Sequence, residues 1–145
     1  MQVLTFTFQH STFALPIEAV SEVIRIPEVT ILPGAPPGLT GRINLRGRMI
    51  PIVDPRFYLD FDTSRNLGHV IVVTKDGELM GLGVEQVEGI VDISVHEGVP
   101  DMVDEELQPL IYGYFPSQGD FVFTWHTYGP FLLWDFMSSG KEMQS

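Results

Sequence analysis

Two stretches of this chain repeat each other at a spacing of 67 residues. Leu15 to Ile26 lies over Leu82 to Ile93, pairing Leu15 with Leu82, Ile17 with Val84, Glu18 with Glu85 and Val20 with Val87. Val23, Ile24 and Ile26 then meet Ile90, Val91 and Ile93, and upstream Val3-Leu4-Thr5-Phe6 meets Val70-Ile71-Val72-Val73. A solenoid needs three or more units, so two copies mean two similar halves. The chain has 145 residues, one domain by length.

Each half opens with a strand, Val3 to Phe8 and Val70 to Thr74. A turn follows, at His10-Ser11 or Lys75-Asp76-Gly77, then a second strand near Thr12 to Leu15 or Leu79 to Leu82. Ile17, Val20 and Ile24 fit a helical stripe, but the β-branched residues and Gly89 of the second copy fit a helix poorly. The expectation is one helical turn near Ile17 to Val20 and a strand from about Glu22 to Ile26. The Pro/Gly-rich loop Leu32 to Gly38 has an acidic counterpart containing Asp101, Asp104, Glu105 and Glu106.

In the first half the apolar runs Ile43 to Leu45 and Met49 to Val53 flank Arg46-Gly47-Arg48. Gly takes the positive φ of a tight hairpin, so Arg46 and Arg48 are expected at its turn. Pro51 cannot donate to a sheet ladder and puts its strand near an edge or a bulge. In the second half, strands are expected at Leu110 to Phe115, Phe121 to Trp125 and Phe131 to Trp134. Asp54-Pro55 and Asp135-Phe136 follow these runs; Asp caps helices and Pro opens them, so each half should end in a short helix. Residues after about Ser139 are polar and expected to fray. Many short strands with few helical stretches predict an all-β chain of two small barrels. The expected division is about 8–66 for the first barrel and about 67–137 for the second, the latter completed by the N-terminal strand 1–7.

Chemistry is hard to find. The chain has no cysteine, hence no disulfide and no thiolate, and this fits a reducing compartment. Its eight basic and 19 acidic residues give a net charge of −11, which disfavours general nucleic-acid binding. No apolar run approaches membrane-spanning length and the start lacks a signal pattern, so the expected location is the cytoplasm. His10, His69, His96 and His126 lack metal-ligand spacing. Asp60-Phe61-Asp62-Thr63-Ser64 begins like a calcium loop, but Arg65 stands where Gly is required and Ile71 where Glu is. Gly81-Leu82-Gly83 has Gln86 in place of a third Gly, which removes a dinucleotide fingerprint. Asp54 and Asp135 read as helix caps rather than a catalytic pair. Neither an enzyme nor a bound cofactor or metal is expected. Arg42, Arg46, Arg48 and Arg56 remain as a basic cluster, either ordinary solvated charge, a recognition patch for a protein, or a local anion site.

The stretch Gly41-x-x-Asn44-Leu45-Arg46-Gly47-x-x-x-Pro51-x-x-Asp54 resembles the motif of the CheW family of bacterial chemotaxis coupling proteins. Phe13-Ala14-Leu15-Pro16-Ile17-Glu18-x-Val20-x-Glu22-Val23 and Gly81-Leu82-x-Val84-x-x-Val87-x-Gly89 resemble it too, so the likeness runs from about Val3 to Phe136. It implies two pseudo-symmetric five-stranded SH3-like β-barrels with short helices. It also implies a non-catalytic adaptor joining a chemoreceptor tip to the regulatory domain of a histidine kinase. By that likeness Ile17, Val20 and Glu22 match kinase-contact positions, and Gly41, Arg46, Gly47 and Ile71 match receptor-contact positions. A CheW-like scaffold of another pathway, such as surface motility or development, fits the same motif. Pro55, Trp134 and the aromatic run Phe121, Phe123, Trp125 and Tyr128 depart from the family pattern. That run is also the expected pocket of a third reading, a small-ligand-binding barrel.

Overall fold

The computed structural model describes residues 1–9, 11–26, 38–99, 103, 105 and 108–139. His10, most of the Pro/Gly-rich loop, most of its acidic counterpart and the tail after Ser139 lie outside them. The elements run β1 (Gln2–Phe8), β2 (Ser11–Pro16), a 3-10 turn (Ile17–Ala19), β3 (Val20–Arg25), β4 (Leu39–Leu45), β5 (Arg48–Val53) and α1 (Arg56–Leu59). Then come β6 (His69–Lys75), β7 (Glu78–Val84), β8 (Gln86–Asp92), β9 (His96–Glu97), a second 3-10 turn (Gln108–Leu110), β10 (Ile111–Ser117), β11 (Asp120–Trp125) and α2 (Gly129–Ser139).

The strands form two sheets, ordered β3-β6-β7-β5-β4 and β8-β1-β2-β11-β10-β9. The repeat is visible in their pairing. Val23 lies opposite Ile71 on antiparallel β3 and β6, and Ile90 lies opposite Leu4 on antiparallel β8 and β1. The parallel contact of β5 with β7, Ile52 opposite Gly81, has its counterpart in Thr124 opposite Ala14 on β11 and β2. Each half therefore gives its first hairpin to the other half's sheet. The division expected near residue 67 is corrected by this exchange: β6 and β7 belong with β3–β5, and β2 as well as β1 belongs with β8–β11. The second sheet has six strands rather than five because two-residue β9 adds to β10. Gly113 permits it, since a Cβ there would lie 2.4 Å from the carbonyl oxygen of His96.

The exchange follows from strands that are apolar on both faces. Val70 and Val72 of β6 pack with Ile43, Ile50 and Ile52 inside the five-stranded sheet. Ile71 and Val73 point the other way, into a core shared with Leu4, Phe6, Phe8, Leu15, Trp125 and Leu133. Val3 of β1 joins a third cluster with Ala14, Phe115 and Val122, while Leu4 and Phe6 face the shared core. The hairpins β1–β2 and β6–β7 are thus the middle of the molecule.

Two local expectations change. Phe131 to Trp134 is helix, not strand. Pro130, in the first turn of α2, lacks an N–H where none is needed, and a four-residue apolar run does not distinguish strand from helix. Asp135 consequently sits within α2 and does not cap it. Pro51 is in an inner strand rather than at an edge, and the bulge alternative holds: the β4–β5 register shifts between Leu39 and Gly41 beside it, and β7 pairs with β5 only at Ile52 and Val53, leaving Pro51 no parallel ladder bond to make. The helix expected after Asp54-Pro55 is α1.

Candidate functional site: the Arg46 turn

β4 and β5 meet in a two-residue loop, with Leu45 paired to Arg48. Arg46 has φ 49° and Gly47 has φ 86°. Left-handed backbone at both positions is a type I′ turn, whose twist matches the flanking strands. The Asn44 side-chain oxygen accepts the Gly47 N–H at 2.8 Å. Leu45 packs against the five-stranded core. The Asn-Leu-Arg-Gly sequence is therefore a local device: Asn44 ties the turn, Leu45 anchors it, Gly47 supplies the conformation and Arg46 is held outward.

The Arg46 side chain is 70% exposed and Glu22 28% exposed. Both terminal nitrogens of Arg46 donate to the two oxygens of Glu22, one at 3.3 Å. Glu22 lies on β3 and Arg46 follows β4, so the ion pair joins the two outer strands of the five-stranded sheet. The hydrogen bond from Arg46 holds the Glu22 carboxyl below its usual range. Exposed Arg42, Arg48 and half-exposed Met49 flank the turn, and Arg48 donates to the carbonyl of Gly77 at 3.3 Å.

The residues singled out in the sequence are not all on this surface. Glu22, Arg46 and Gly47 come together. Ile17 and Val20 are half-buried and pack on the shared core from the 3-10 turn and the start of β3. Gly41 is buried beside a register shift in β4. Ile71 is fully buried, which corrects its expected place at a contact surface: it lies on β6 alongside Val23 of β3 and packs into the shared core.

Arg56 also leaves the basic cluster. It is 3% exposed and grips Asp54, itself 3% exposed, through Nε at 3.0 and 3.2 Å and Nη2 at 2.8 Å. Its Nη1 donates to Glu85 at 3.0 Å and to the Arg65 carbonyl at 2.7 Å. Asp54 additionally accepts the Arg56 backbone N–H at 3.0 Å, and Glu85 accepts the Gln9 N–H at 2.8 Å. No spacing rule pairs residues 56 and 85, so sequence reasoning missed this network. Exposed Val23 and Phe57 were missed as well.

Among the described residues no group of three or more His, Asp or Glu side chains is placed to hold a metal. In the would-be calcium loop, Asp62 instead accepts the backbone N–H and the hydroxyl of Ser64, at 2.9 and 2.8 Å, which lowers its carboxyl pKa.

The CheW-like domain family matches residues 2–125. The chain belongs to that family. Protein PilI of Pseudomonas aeruginosa is 32% identical over 126 residues, which cover 83% of this chain and 68% of PilI. The chemotaxis protein CheW of Thermotoga maritima is 31% identical over 98 residues, 66% of this chain and 64% of that protein. The CheW of Rhizobium meliloti is 31% identical over 110 residues, 74% and 65%. The chain thus matches slightly under two thirds of the length of these CheW proteins. The crystal structure of scaffolding protein TtCheW from Thermoanaerobacter tengcongensis superposes with a TM-score of 0.75 at 23% identity, covering 86% of this chain and 87% of that one. The two-sheet architecture is accordingly the CheW fold. Among the described residues no helix is long and apolar enough to cross a membrane.

Proposed function

We propose that this CheW-like domain is a non-catalytic adaptor coupling the cytoplasmic tip of a chemoreceptor to the regulatory domain of a histidine kinase. The observation that carries the reading is Arg46, held outward on a pinned type I′ turn and oriented by Glu22. Arg46, with Gly41 and Gly47 shaping its strand and turn, is the receptor-side anchor. Glu22 gives the kinase side a charged rim, and the exposed parts of Ile17 and Val20 give it apolar contact. A rim charge sets orientation and on-rate more than affinity.

An adaptor of this kind works by binding one kinase conformation better than another, since a ligand shifts an equilibrium only by its differential affinity. Truncating an anchoring arginine costs about 2 kcal/mol, roughly a 30-fold loss in affinity. Arg46→Ala should therefore keep the fold and abolish receptor-dependent kinase activation in a reconstituted assay. Full activation by a folded Arg46→Ala protein would refute the role. Co-purification with the kinase regulatory domain is the accompanying positive test.

A second reading, a scaffold in another signalling pathway such as surface motility, has one observation in its favour: a relative at 32% identity carries a name other than CheW. Capture of the kinase from the native cell, followed by its identification, separates the two.

A further inference from the structure

The two sheets are built alike but filled differently. In the five-stranded sheet Gly81 lies so tightly under its neighbours that a Cβ would come 2.3 Å from Ile52 Cδ1 and 2.7 Å from Val70 Cγ1. Leu79, on the same strand, packs into that aliphatic core. At the spacing of the repeat the counterpart of Leu79 is Thr12 on β2. There β2 and β11 pair only at Phe13–Phe123 and Ala14–Thr124, and beyond that point no ladder joins Ser11 and Thr12 to Asp120 and Phe121. On the face of β2 that carries Phe13, beside that short ladder, lies a cleft of about 370 Å³. Pockets of roughly 300 to 1,000 Å³ are the size that takes small ligands.

The lining is chemically one-sided. Phe13, Phe61, Phe123 and Trp125 line the cleft, with Phe13 and Trp125 ring centroids 5.9 Å apart and Phe13 and Phe61 6.1 Å apart. Asp120 supplies a carboxylate at the cleft. The Phe121 N–H donates to Asp120 at 2.7 Å and so orients that carboxylate. Among the described lining residues none is basic. Aromatic faces attract cations, and a carboxylate beside them does so further. An anionic ligand meets repulsion from Asp120 and from a chain of net charge −11.

We propose that this cleft is a binding site for a small amine with an aromatic body, the ring seated among the phenylalanines and the ammonium group at Asp120. Tyr128, grouped with the aromatic run in the sequence, is not part of it: its ring lies 5.1 Å from Lys75 Nζ. The site shares no residue with the Arg46 turn, so it stands apart from the adaptor reading.

The test uses the whole chain and three probes of one shape: phenethylamine, phenylethanol and phenylpropionate. Each is titrated by calorimetry and by amide chemical-shift mapping. The amine should bind best and the carboxylate worst, with shifts centred on Thr12, Phe13, Phe61 and Phe123. Asp120→Asn keeps the shape and the acceptor for the Phe121 N–H, and should weaken the amine about threefold or more while leaving the alcohol unchanged. Equal binding of amine and carboxylate, shifts on another face, or no response to any probe would overturn the proposal. None of these outcomes bears on the Arg46→Ala kinase assay.

Discussion

Replacing Arg56 by Met keeps most of the side-chain volume and removes the guanidinium. The structure lets the cost be worked out. Asp54 and Glu85 have side chains only 5% and 9% exposed, and both lose their cation, while the Arg65 carbonyl loses its donor. Breaking a buried ion pair by deleting one partner costs about 3–5 kcal/mol, because the remaining charge stays away from water. A domain of this size loses about 2–4 °C of melting temperature per kcal/mol, so the fall should be roughly 6–20 °C. The loss should be cooperative. Glu85 also holds Gln9 at the β1–β2 turn, and Asp54 holds the start of α1, so both sheets meet at this network. Urea and thermal denaturation followed by circular dichroism measure it. If Arg56→Met does not fold, Arg56→Lys keeps the charge without the fork and should show an intermediate loss. Adding Asp54→Asn and Glu85→Gln to Arg56→Met should recover part of the stability, since no buried charge then remains. A loss below about 1 kcal/mol for Arg56→Met would refute the reasoning and place the network among ordinary surface pairs.

Glu22 should titrate below the ordinary glutamate range in the intact protein because Arg46 donates to its carboxylate, as followed by carboxyl chemical shift, and move back toward that range in Arg46→Ala. A depressed carboxyl pKa contributes stability that is present above the unfolded value and lost as pH falls through the folded one, so this contribution disappears only in acid. Gly47→Ala has free space around it but sits at φ 86°, and should cost about 1–2 kcal/mol in urea denaturation through backbone strain alone. Gly81→Ala lies outside the left-handed backbone region but meets Ile52 and Val70, and should cost about 1–3 kcal/mol by overpacking.

The features legible in the sequence were those set by short spacings. The β4–β5 turn is written in Asn44-Leu45-Arg46-Gly47, because a type I′ loop selects its own residues. The 3-10 turn at Ile17–Ala19 and the start of α1 after Pro55 are local in the same sense. Arg56 was not legible, because its burial depends on Glu85, and its place beside Arg42, Arg46 and Arg48 in the chain suggested exposed charge. The repeat itself misled at this point. Its two glutamates differ: Glu18 is exposed, whereas the Glu85 side chain is only 9% exposed and pairs with Arg56.

The exchange of hairpins was half-written. A repeat of 67 residues says that two units are alike, and it is silent on whether each unit pairs with itself or with its twin. The burial pattern breaks that tie. Val70-Ile71-Val72-Val73 has no polar face, so its strand needs partners on both sides, and one 60-residue half offers a core on one side only. The same run puts Ile71 inside, so the contacts proposed above fall on the outer strand β3 and the Arg46 turn. Those two surfaces are joined by the Glu22–Arg46 pair, so a group that captures Glu22 competes directly for the side chain that orients Arg46. The proposed kinase and receptor contacts would then be coupled by a single ion pair. A binding cycle with Glu22→Gln, measured for each partner with and without the other, should show the coupling reduced in the variant; unchanged coupling would mean that the two surfaces act independently.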